Sequence, residues 1–180
     1  IEKGAKHIKF KNVVYEYSLS KAITDGYVKE PTVATRKNFD ATQYKDDPSR
    51  LDQIKIEDGV RLHEDTKVAL DVYARDTRTQ RVKPFILIVA KDTDHAREIK
   101  NLIQSDSFFN GRYADKVIEV HSKQKGEEKD ENIAELISLE DPSNITEIVI
   151  HVNMLKEGWD VTNLYTIVPL RTAASMTLRE

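Results

Sequence analysis

The densest run of reactive residue types is His151-Val152-Asn153-Met154-Leu155-Lys156-Glu157-Gly158-Trp159-Asp160-Val161-Thr162-Asn163-Leu164. Gly158 permits a tight or positive-φ turn, and Asp160 would present a carboxylate beside it. The plainer reading of the same spacing is a loop in which the Gly makes a turn and the Asp a cap. Two other apolar runs end in polar residues. Lys91 and Thr93 follow Phe85–Ala90, and His121 and Ser122 follow Lys116–Val120. Asp92 or Thr93 would cap a helix, a role compatible with a nearby phosphate because helix N-termini attract anions. His121 reads equally as a phosphate contact and as a hydrogen-bonded structural histidine. Trp159 reads as a packing plug before a stacking ring. The mixed-sign run 123–131 reads as solvated loop and helix start.

Four β-rich runs position these residues: Phe85–Ala90, Lys116–His121, Glu147–Val152 and Leu164–Pro169. The first and third are almost continuously apolar, as strands covered on both faces are. Helical patterns alternate with them. Ala96, Ile99 and Ile103 share one face, and Ile133, Leu136 and Ile137 mark a second helix over about Lys129–Leu139, closed by Pro142 and Asn144. Alternating strand and helix predicts a parallel sheet with crossover helices, whose ligands sit at the carboxyl ends of the strands. Asn153 to Asp160 are therefore expected at that crest.

The first eighty residues have another texture. Val13–Tyr17 reads as a strand, Asp25-Gly26 as a turn, and Asn38 to Pro48 as a polar connection. Leu62, Ala69, Leu70 and Tyr73 recur at helical offsets and predict a long helix that Gly59 starts or interrupts.

At 180 residues, 39% hydrophobic and 33% charged, the chain has room for one substantial core under a charged surface. Its net charge of -3 excludes a uniformly basic binder, but the sign varies along the chain. Residues 1–37 carry eight Lys/Arg against four Asp/Glu, and residues 38–71 five against nine. Without cysteine there is neither a disulfide framework nor a thiolate zinc site, and the five histidines lack ligand spacing. The longest apolar run is too short to span a bilayer, so no membrane partner is expected. The chain begins at Ile1 with no basic-then-apolar leader, which is read as an excised, cytoplasmic piece of a longer protein.

The 151–164 segment resembles motif V of superfamily-two helicases and translocases, and Leu87-Ile88-Val89-Ala90-Lys91-Asp92-Thr93 resembles their motif IV. Together with Glu119-Val120-His121-Ser122 and Ile23-Thr24-Asp25-Gly26-Tyr27-Val28-Lys29, the pattern is most similar to the Res subunit of type III restriction enzymes. The resemblance implies a RecA-like α/β lobe, a parallel sheet flanked by helices, with an N-terminal strand and long-helix extension. Residues 1–80 would be the inter-lobe linker and long helix, and 81–180 the second motor lobe. It further implies Gly158 and Asp160 facing an ATP cleft, with Asp160 holding the ribose or orienting an arginine. Lys91, Thr93, His121, Ser122, Asn153 and Lys156 would lie along the nucleic acid.

ATP and Mg would be bound mainly by a first lobe, because this sequence has no Gly-x-x-x-x-Gly-Lys-Ser/Thr loop. Double-stranded DNA, the first lobe and a methyltransferase modification subunit are the implied partners. An arginine-bearing helix is expected after Glu180, with a nuclease domain farther on, so this piece alone is expected to be inactive. Val152 departs from the phosphate-binding Thr of many members, which would pass that contact to Asn153 or to backbone N–H groups. Two alternatives remain open: a helicase-like motor without a restriction role, and a doubly wound binding domain that is no motor.

Overall fold

The computed structural model of the chain describes residues 14–121, 136–152 and 161–171. They form two compact units that divide between Ala41 and Thr42.

In the first unit, Ser18 caps a short helix, α1 (Leu19–Thr24), by accepting the Lys21 N–H at 3.2 Å. The Asp25-Gly26 turn forms as expected. Gly26 takes φ +80°, and the N–H groups of Tyr27 and Val28 both return to the Ala22 carbonyl. The strand expected over Val13–Tyr17 is not formed: Val14–Tyr17 runs without regular structure, and Val13 lies outside the described residues. β-rich letters need a ladder partner, and here the Tyr17 hydroxyl turns instead to Asp25 at 2.6 Å.

The second unit is built on four strands, β1 (Phe85–Val89), β2 (Val117–His121), β3 (Ile148–Val152) and β4 (Leu164–Pro169). All pairings are parallel, in the order β2-β3-β1-β4. This is the α/β class expected of a RecA-like lobe. β1 and β3 are buried at every residue because layers cover both faces, and each fully buried Ile there is worth about 2 kcal/mol.

One face is covered by α2 (Pro48–Thr77) and α3 (Thr93–Gln104). Ile56 and Val60 of α2 join Ala96, Ile99 and Ile103 of α3 over Ile86, Ile88, Ile148 and Ile150. The other face carries Phe85, Leu87, Val89, Val120 and Val149 against Leu136 and Leu139. Leu136 and Ile137 are helical and Ser138–Glu140 forms a 3-10 turn, while the earlier part of the helix expected from Lys129 lies outside the described residues.

α2 starts where Asp47 accepts the Arg50 N–H at 3.0 Å with Pro48 in its first turn, and ends at Arg78 in the left-handed region. Its buried face differs from the expected one. Leu62 and Tyr73 are exposed, and Asp52, Ile56, Gly59, Val60 and His63 point inward. Gly59 neither starts nor interrupts the helix. It lets α2 lie close on β4, since a Cβ there would come within 2.4 Å of Val168 Cγ2.

The direction of α2 is the feature that places the polar clusters. From Asp52 to His63 the helix rises about 16 Å, and a five-residue strand spans about the same. α2 therefore reaches from the carboxyl edge of the sheet to its amino edge.

Candidate functional site

β1, β2 and β3 end on one edge, with Val89 opposite His151 and His121 opposite Val152. Immediately beyond β1, Asp92 caps α3 by accepting the His95 N–H at 2.9 Å, which makes Thr93 the first helical residue and not the cap. The Lys91 ammonium pairs with Asp52 of α2 at 2.7 Å, and His95 Nε2 reaches the same carboxylate oxygen at 3.2 Å. The Lys91 N–H donates to His95 Nδ1 at 3.2 Å, so Nε2 carries the ring proton and donates it to Asp52. Burial and then the Lys91 charge push the His95 pKa down, which matches a neutral ring. With both ring nitrogens engaged, His95 serves as a clasp and not as a proton shuttle.

The Asp52 carboxylate is 8% exposed, whereas the Lys91 side chain is 44% exposed. A groove of about 310 Å³ opens beside this clasp between α2 and α3, lined in part by Arg50, Gln53, Glu98 and Leu102. Its walls carry both signs of charge. At the N-terminus of α3 the Asp92 carboxylate already occupies the position an anion would take. A phosphate there would meet like charge, so contact through Lys91 requires Lys91 to leave Asp52.

A second cluster sits at the amino edge. Glu147, just before β3, accepts from His63 Nε2 at 3.1 Å, Lys67 at 2.8 Å and Lys116 at 2.6 Å. Burial alone would raise this carboxyl's pKa, but the hydrogen bonds from His63, Lys116 and Lys67 outweigh it and hold the group well below the usual carboxylate range. Glu64 extends the network, accepting from the Tyr113 hydroxyl and lying 3.2 Å from Lys67 and 3.4 Å from Arg112. Burial first, then the Glu64 contact, drives the Tyr113 hydroxyl's pKa upward.

His151 is buried near the end of β3, and its pKa is pushed down to about 4 by burial and then by the Arg171 charge. The entry to β4 is pinned as well. Asn163 Nδ2 donates to the carbonyls of Lys83 and Leu139, and the Thr162 N–H and hydroxyl both donate to Glu140 at 2.7 Å. β3 leaves at the carboxyl edge and β4 begins at the amino edge.

Of the residues singled out from the sequence, Lys91 and Thr93 stand together at the carboxyl edge, and the His121 backbone ends β2 on the same edge. Ser122, Asn153, Lys156, Trp159, Gly158 and Asp160 lie outside the described residues. Sequence reasoning missed Asp52, His95, His63 and Glu147. A signal existed for two of them: Asp52 and His63 fall on the same helical face as Ile56 and Val60. Among the described residues no cluster of His, Cys, Asp or Glu could hold a metal ion, and no helix is long and apolar enough to cross a membrane.

No protein-family model matches the chain, and neither a curated protein nor a solved structure matches it.

Proposed function

We propose that the chain supplies the second motor lobe of an ATP-driven nucleic-acid translocase of superfamily two, of the kind found in the Res subunit of type III restriction enzymes. One observation carries the reading. The resembling segments 87–93, 119–122 and 151–164 each contain or follow a strand that leaves the same edge of one parallel sheet. In open α/β sheets that edge is where ligands bind. ATP hydrolysis would drive closure and opening against a first lobe that carries the phosphate loop and the metal. In this lobe Gly158 and Asp160 would face the nucleotide, while Asn153 and Lys156 would hold duplex DNA by its backbone.

The test is Asp160→Ala in a polypeptide that carries both lobes. DNA-stimulated ATP turnover should fall by roughly 100-fold or more, the size of loss seen when one preorganised polar contact to a transition state is removed. The melting temperature should be unchanged. Turnover at the wild-type rate would remove Asp160 from the cleft and the motor reading with it.

A further inference from the structure

The connection from α3 to β2 contains a turn that ordinary residues avoid. Phe109 (φ +47°), Asn110 (φ +56°) and Gly111 (φ +70°) follow one another in the left-handed region, where only the glycine is free of strain. Packing holds the turn in place. Phe108 is buried, Phe109 meets Phe108 and Tyr113 edge-on at 4.9 and 5.8 Å, and the Arg61 guanidinium lies 5.7 Å from the Phe109 centroid. The Gly111 N–H donates to the Phe108 carbonyl at 3.0 Å, and the Arg112 N–H to that of Phe109 at 3.3 Å. Asn110 is exposed.

Asn110 is also the one asparagine in the sequence that precedes a glycine; Val, Phe, Leu, Ile or Met follows each of the others. With no side chain on the next residue to obstruct it, the backbone nitrogen of such a pair can attack the side-chain amide. In the closed turn it cannot. At ψ +42° the tetrahedral Cα sets the Asn110 Cβ nearly anti to the Gly111 nitrogen, which keeps that nitrogen away from Cγ. Its hydrogen is moreover engaged with Phe108.

We propose that Asn110 is a site of spontaneous deamidation and that the 108–111 turn gates it. Strain in consecutive left-handed residues makes this turn easier to open than the sheet is to unfold. Once it opens, Asn110 relaxes to extended backbone and the Gly111 nitrogen adds to Asn110 Cγ. The side-chain nitrogen leaves as ammonia, taking the Gly111 proton, and water then opens the cyclic imide to aspartate or to β-linked isoaspartate. The β-linked product carries an extra methylene in its backbone and cannot resume the turn, so Phe109 loses its place beside Tyr113. Because the Tyr113 hydroxyl donates to Glu64, the change loosens one end of the amino-edge network. Water is the only co-reactant, so the reaction is independent of any nucleotide or nucleic acid.

The test is mass spectrometry of the full 180-residue chain held at mildly alkaline pH, in buffer and in urea, beside a synthetic peptide of residues 105–116. Conversion is read at Asn110 as the mass change from amide to carboxylate, with Asn144, which Ile145 follows, as the internal control. The peptide and the urea-unfolded chain should convert at similar rates, and the native chain roughly tenfold or more slowly, in proportion to the fraction of time the turn is open. Phe109→Ala should speed conversion in the native chain. Arg61→Gln, which withdraws the cation from the Phe109 ring at an exposed helix position, should act in the same direction if the first variant does not fold.

Conversion of the native chain at the peptide's rate would show that the turn gates nothing. Conversion that begins only where urea unfolds the whole sheet, in wild type and variants alike, would overturn the local opening. An unfolded chain that leaves Asn110 as intact as Asn144 would remove the site.

Discussion

The two ends of the sheet are closed by similar parts put to different use. At each end a buried carboxylate receives a histidine and a lysine, with α2 supplying one side of the contact. At the amino edge the carboxylate belongs to the sheet, and Glu147 draws His63, Lys67 and Lys116 onto two oxygens. Those lysine side chains are 28% exposed. At the carboxyl edge the carboxylate belongs to the helix, and the cation it holds, Lys91, is substantially exposed beside an open groove. A saturated, enclosed network cannot give up a partner without leaving a buried charge, whereas a half-exposed lysine can exchange its carboxylate for water or another anion. The amino edge fixes α2 on the sheet, and the carboxyl edge keeps a cation in reserve.

The harshest test of this contrast is Glu147→Gln. Removing the charge strands a buried imidazole and two lysines, so the variant should lose roughly 3–5 kcal/mol in urea unfolding. A loss under about 1 kcal/mol would place the amino-edge network among ordinary surface ion pairs and dissolve the distinction.

Next in size is the pH dependence set by His151. Its folded pKa is about 4, against 6.5 for a free imidazole. Between those values the unfolded chain takes up a proton that the fold refuses, so stability rises with pH across this window. The contribution is complete above about pH 6.5 and gone below about pH 4, and it amounts to about 3 kcal/mol. His95, depressed in the same direction by burial and then by the Lys91 charge, adds to the rise. Glu147 acts lower: its depressed pKa stabilises the fold above the ordinary carboxylate range and fails only as the pH drops below it. Urea midpoints measured from pH 4 to pH 7 should climb, and His151→Gln should flatten most of the slope. An unchanged slope would show that the imidazole is solvated.

How much of this was legible follows from the range of each interaction. β4 runs over Leu164–Pro169 as read, and β1 and β3 fall within a residue of their expected ends, because continuous apolar runs are a local signal of two-sided burial. α2 was legible as a helix but not by face. Its buried stripe contains Gly59 and His63, which carry no apolar signal, while the exposed Leu62, Val68, Val72 and Tyr73 supply a misleading one. Val14–Tyr17 has strand letters without a ladder to join. Neither polar cluster was readable, since Asp52 meets Lys91 across 39 positions and His63 meets Glu147 across 84. Ion pairs at that separation exist only once the sheet has brought the elements together. The residues given most weight in the sequence, Gly158 and Asp160, depend on a local motif and not on such packing.

The smallest expected effect is the most informative about function. In Asp52→Asn the amide keeps its volume and can still accept from His95, so α2 should stay seated at a cost of about 1–2 kcal/mol. Lys91, no longer held by a charge, becomes available to phosphate. If the carboxyl edge faces a nucleic-acid backbone as proposed, the variant should bind duplex DNA more tightly at low salt. The slope of log affinity against log salt should steepen by roughly one phosphate equivalent, about 0.9. Lys91→Ala made in the Asp52→Asn background should return the slope to its wild-type value, which separates release of this cation from a general change in charge. Binding curves that match the wild type at every salt concentration would mean that Lys91 faces no phosphate path. The carboxyl-edge clasp would then be a second structural lock, and the difference between the two edges would be one of exposure alone.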